Sequence, residues 1–143
     1  GEMVKLKKLS KKLNIEKNVN FLGPKDLDSI INLSKNASFY LQTSKLEGMA
    51  MSVVEAMQLG LVPLVTPVGE IKNYCIDKVN AILIDDEDSA VKSILNLLDN
   101  KNAFEKIRQN TISCWNDSEI YSESIERASL SILNIKNAQN INT

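Results

Sequence analysis

Apolar residues at the start of the chain, Val4, Leu6, Leu9 and Leu13, fall on one broad face of a helix, with Lys5, Lys7, Lys8, Lys11 and Lys12 outside it. The lysines read as the solvated side of that helix. Val19–Gly23 is a short β-prone run stopped by Gly23-Pro24, and the stretch from Asp26 to Leu33 returns to helical spacing. Residues 37 to 43 are almost continuously apolar, as strands buried on both faces are. A loop over 44–50 follows, then a helix over Met51–Leu59 closed by Gly60. Val62–Thr66 and Ala81–Ile84 predict a third and a fourth strand. Val91, Ile94, Leu95 and Leu98 then mark a helix, entered through the acidic turn Asp85–Asp88, with Asp88 or Ser89 expected as its cap.

Strand and helix alternate with short connections, which predicts an α/β fold: a Rossmann-like parallel sheet with helices on both faces and right-handed crossovers. The chain beyond Ala103 reads as helical to about Leu133, with Trp115 near its middle, and 134–143 as a frayed Asn-rich tail. One domain is expected over 1–143.

Composition narrows the chemistry. Seventeen basic and 18 acidic residues give a formal net charge of -1, so no overall field draws the chain to nucleic acid. There is no histidine, which removes the commonest metal ligand and general base, and with them Ser-His-Asp triads and Cys-His dyads. Cys75 and Cys114 lack C-x-x-C spacing and read as ordinary apolar residues of a reducing compartment. No run approaches the roughly 20 apolar residues that span a bilayer, and no signal-peptide pattern opens the sequence, so the expected location is cytoplasmic.

The informative segment runs from Ser44 to Met57. It joins the C-terminal end of a buried strand to a helix N-terminus, where parallel sheets bind ligands. Gly48 and the small Ala50 let backbone N–H groups approach a ligand closely, and a helix start favours an anion such as a diphosphate. Glu47 precedes the helix and Glu55 lies about two turns inside it. Two carboxylates flanking a diphosphate suit the vicinal hydroxyls of a ribose and a hexose. The same residues also fit a bland account, Glu47 as a charge near a helix start and Glu55 as a surface helical residue.

The stretch Glu47–Gly60 followed by Val62-Pro63-Leu64-Val65 resembles the E-x7-E region of group 1 glycosyltransferases, retaining enzymes of GT-B fold. The likeness extends in family order over Val19–Gly23, the stretch from Ala37 to Ser44, the Val68-Gly69-Glu70 turn and the stretch from Ala81 to Leu98. The resemblance implies the incomplete C-terminal, donor-binding half of such an enzyme, with the N-terminal acceptor domain absent. It implies that Glu47 sits beside the transferred sugar as the catalytic group, an orienting and electrostatic one, and that Glu55 binds the nucleotide's ribose. The backbone of Gly48, Met49, Ala50 and Met51 is then expected to touch sugar and diphosphate, and Gly23-Pro24 to line the base pocket.

Met49 replaces the usual aromatic residue and Ala50 the second glycine. Because alanine does not freely take positive φ, a differently shaped loop or a different sugar is expected.

The implied donor is a nucleotide diphosphate sugar such as a UDP- or GDP-sugar, with no cofactor and no metal. The implied acceptor is a glycan or lipid held by the missing domain, and the parent protein is compatible with peripheral membrane association. Epimerases and glycogen-synthase-like polymerases share the GT-B fold; the former usually lack this E-x7-E arrangement. The competing reading is a non-catalytic α/β module, a truncated or degenerate nucleotide-sugar binder. For the isolated piece, the strand at Val19 is expected to lack its partner, leaving an edge open to self-association.

Overall fold

The computed structural model describes residues 1–115. They divide into two compact units, Gly1–Leu33 and a second beginning at Ser34. In the first unit, α1 (Glu2–Lys12) carries Glu2 in its first turn and Lys11 and Lys12 in its last, the order that the helix dipole favours. A 3-10 turn (Glu16–Asn18) follows, and the Lys7 ammonium stands 5.8 Å from the centre of the Phe21 ring. Helix α2 (Leu27–Ser34) is capped by Asp26, whose carboxylate accepts the Ser29 N–H at 2.9 Å. The expected strand at Val19–Gly23 does not form. Val19 has extended backbone, φ -119° and ψ 118°, but a strand exists only with a partner, and the three described strands all lie in the second unit.

Those strands are β1 (Phe39–Gln42), β2 (Val62–Val65) and β3 (Ile82–Leu83), all parallel and in the order β1-β2-β3. Phe39 stands opposite Val62, and Leu64 opposite Ile82. Between them run α3 (Met51–Gln58) and the short α4 (Ile71–Tyr74); α5 (Glu87–Asp99) and α6 (Lys101–Ser113) follow the last strand. Alternation along β2 sends Val65 to one face and Val62 and Leu64 to the other. On the first face, Val65 joins Val53 and Met57 of α3, Ile71 of α4, Cys75 and Ala81. On the second, Val62, Leu64 and Ile82 meet Ala90 and Leu97 of α5 and Ile107 of α6. The α/β class with helices on both faces is therefore as expected.

Three local expectations change. The turn after β2 continues into α4, too short to show a period in sequence. The cap of α5 is Asp86, rather than Asp88 or Ser89, because its extended backbone lets the carboxylate accept the Ser89 N–H at 2.8 Å. Helix α6 starts at Lys101, capped by Asn100, and ends at Ser113, so Trp115 stands past a helix end rather than within a helix. There its indole N–H points at Met57 Sδ (3.4 Å) and its ring packs edge-on against Tyr74. The predicted helix over 116–133 and tail over 134–143 lie outside the described residues. Among those described, no helix is long and apolar enough to cross a membrane.

Candidate functional site

The Ser44–Ala50 loop leaves the C-terminal end of β1 and is pinned from below by the segment that follows β2. The Thr66 hydroxyl donates to the Ser44 carbonyl at 2.6 Å, and the Glu70 N–H to the Gly48 carbonyl at 3.1 Å. Gly69 has φ +56°, and a Cβ built on it would fall 2.1 Å from the Glu47 carbonyl oxygen. Only a glycine lets the two backbones come this close. From α4, the Tyr74 hydroxyl donates to the Met49 carbonyl at 2.6 Å. Burial, with nearby Cys75, Glu47 and Glu70, pushes that hydroxyl up to about 12, which keeps it a donor at all ordinary pH.

Glu47 is half-buried, and its Oε1 accepts two hydrogen bonds, from Gln42 Nε2 at 2.8 Å and from Ser44 Oγ at 2.6 Å. Gln42 in turn accepts from the Tyr40 and Ser52 hydroxyls, each at 3.0 Å. Strand end, loop and first turn of α3 are thus tied through one side-chain network. Gly48 has open space where a side chain would project.

Ala50 does adopt the left-handed conformation, φ 52° and ψ 62°, contrary to the expectation from its Cβ. That conformation costs an L-residue about 1–2 kcal/mol. Burial of the methyl group among Val53, Met57 and Ile71 offsets part of it. Helix α3 consequently starts without a side-chain cap, while Met49 and Met51 remain exposed on either side of the buried alanine. Glu55 is exposed on α3 one turn beyond. The structure places Glu47, Gly48, Met49 and Ala50 in one loop, with Met51 as the first residue of α3 and Glu55 one turn further along the same helix. Gly23, at φ +67°, and Pro24 belong to the first unit, outside this loop.

Gln42, Thr66 and Tyr74 were missed as loop supports. Gln42 alone left a trace, a polar side chain at the end of an otherwise apolar strand. Toward α5, a cleft of about 670 Å³ is lined by Leu41, Thr43, Leu64, Thr66, Ile84, the start of α5, and Ser44 and Lys45 of the same loop; neither Glu47 nor Glu55 lines it. Burial pushes the Cys75 thiol up to about 12 and raises that of Cys114, so both are poor nucleophiles.

The parallel sheet with helices on both faces defines an α/β domain, and the glycine-containing loop lies at the C-terminal edge of its strands, where such sheets bind ligands. Residues 1–113 match the family described as glycosyl transferases group 1, and the chain belongs to that family. Its fold is also similar to that of the C-terminal domain of a glycosyl transferase group 1 family protein, LpcC, from Francisella tularensis, at 19% identity and a TM-score of 0.65. The match covers 79% of this chain and 60% of that one, so the chain spans less than two thirds of the solved domain. No curated protein matches the chain.

Proposed function

We propose that this chain carries the donor-binding part of a retaining glycosyltransferase that moves a sugar from a nucleotide diphosphate sugar to a glycan or lipid acceptor. The observation that carries the reading is the Glu47 carboxylate, fixed by Gln42 and Ser44 in a loop that opens into an uncapped helix start. An anion is favoured at such a start, which suits the diphosphate, and a fixed carboxylate accepts hydrogen bonds from sugar hydroxyls. Gly48 leaves room for close approach. Glu55 takes the ribose. No metal or cofactor enters the proposal, and the reaction is placed in the cytoplasm.

In that role Glu47 orients the sugar and stabilises positive charge developing at its anomeric carbon as the diphosphate departs. Calorimetric titration with UDP, GDP, UDP-glucose and GDP-mannose tests the reading. One base is expected to bind, even at about millimolar Kd, near 4 kcal/mol, and Glu55→Ala to abolish that binding. Equal binding by Glu55→Ala would remove the ribose role, and binding of none of the four ligands would sink the donor-site reading for this chain.

A further inference from the structure

We infer that Gln42 is a positioning residue that fixes which oxygen of Glu47 faces the sugar, leaving Oε2 as the acceptor for two adjacent hydroxyls. This rests on the donor-site reading above. Each carboxylate oxygen has two in-plane lone pairs. On Oε1 both are engaged, one by the Gln42 amide and one by the Ser44 hydroxyl, whereas Oε2 has no partner among the described residues. A vicinal diol needs two acceptor sites at one place, and Oε2 offers them.

The orientation of the Gln42 amide follows from its neighbours. Its oxygen receives two hydroxyl donors, Tyr40 and Ser52, and its nitrogen faces a carboxylate, which can only accept when ionised. Turning the amide over would set two oxygens against each other at the Glu47 end. Tyr40 lies on the same face of β1 as Gln42 and packs against the core under α3, while Ser52 lies in the first turn of α3. The amide is thus held from the sheet and from the helix, and passes that rigidity to a loop carboxylate. A preplaced acceptor of this kind avoids ordering costs when the ligand arrives.

The test is a double-mutant cycle of Gln42→Met and Glu47→Ala, read by titration with UDP-glucose and GDP-mannose against bare UDP and GDP. Gln42→Met is expected to weaken the sugar conjugate about tenfold, the effect of one well-placed hydrogen bond to a charge. Bare diphosphate should bind as in wild type, and Gln42→Met should add nothing in the Glu47→Ala background. A merely structural role for Gln42 would weaken bare and conjugated nucleotide alike and persist without Glu47, and that result overturns the inference.

The free chain gives an independent readout. In ¹⁵N spectra the Gln42 side-chain amide should be shifted and slow to exchange, and should move to the solvent-exposed region in Glu47→Ala. An amide signal indifferent to Glu47 overturns the contact itself, whatever binds. A signal that responds as expected, with no difference between conjugate and bare nucleotide in any variant, retains the contact and removes the sugar-facing role.

Discussion

Helices α3 and α5 each follow a parallel strand, α3 after a long loop and α5 after a short one, yet their first turns are held in different ways. At α5, Asp86 is extended, φ -136° and ψ 148°, and its carboxylate accepts the Ser89 N–H at 2.8 Å. At α3, Ala50 is left-handed and has no side-chain oxygen, and the Val53 N–H is met instead by the Ala50 carbonyl at 2.9 Å. The first turn has four N–H groups without intrahelical partners, and a side-chain cap answers some of them. The α5 turn therefore has a side-chain carboxylate fixed at its start, which that of α3 lacks. The α3 turn instead draws its order from outside itself: Thr66, Glu70 and Tyr74 hold the loop's carbonyls, Gly69 lets the backbones approach, and the Met51 and Ser52 amides have no partner among the described residues.

If the loop before α3 depends on that outside support, removing the space at Gly69 should have the largest effect. In Gly69→Ala a methyl carbon meets the Glu47 carbonyl at 2.1 Å and the Gly48 carbonyl oxygen at 2.8 Å, at a φ that L-residues avoid. The backbones must separate, taking with them the Glu70 to Gly48 hydrogen bond. Urea unfolding should show a loss of about 3 kcal/mol or more, together with loss of donor binding. A variant as stable as wild type would mean that the loop does not need this brace.

The contrast between the turns also marks what was legible in the sequence. The apolar runs Phe39–Leu41 and Val62–Val65 located two strands and the spacing of Val91, Ile94 and Leu98 located α5, but only β2 is buried throughout: Leu41, Val91 and Leu98 stay exposed, and α5 packs through Ala90 and Leu97. The loop was legible through Glu47 and Gly48. Its supports were not, since Thr66 and Tyr74 act across 22 and 25 residues of chain, and no local period records such contacts. The strand at Val19 shows the converse failure: β propensity can be read locally, but pairing depends on a neighbour. The cap of α5 was misplaced by two or three residues because Asp86 stands within a run of five acidic or capping-competent side chains, Asp85 to Ser89, and only backbone geometry selects it.

The second test acts on the capped turn. Asp86→Ala removes the acceptor for Ser89, and the midpoint of thermal unfolding should fall while donor binding stays unchanged. The Ser89 N–H and hydroxyl hold the Asp86 carboxyl below its ordinary 3.8, with Lys92 adding a smaller effect. The folded state therefore prefers the ionised form, and the benefit is complete above 3.8 and disappears as pH falls through the lower folded value. Wild type and Asp86→Ala should differ by a constant amount near neutrality and converge under acid. A gap that persists at pH 2 would show that the cap works without its charge.

The smallest effect should come from two buried alanines near the two helix starts, Ala50 just before α3 and Ala90 in the first turn of α5, 9% and 5% exposed. Replacing either by glycine removes a methyl contact of about 0.8 kcal/mol and loosens the unfolded chain by about 0.5–1 kcal/mol. At Ala90 nothing opposes these losses, so Ala90→Gly should cost about 1–2 kcal/mol. At Ala50, relief of the left-handed backbone returns about 1–2 kcal/mol, and Ala50→Gly should leave the urea midpoint nearly where it was. Equal losses in the two variants would mean that Ala50 holds its positive φ without strain. Near-neutrality at Ala50 alone would mean that the chain retains an uncapped, left-handed entry to α3 at a cost in stability, which is expected of a turn whose order serves a ligand rather than the fold.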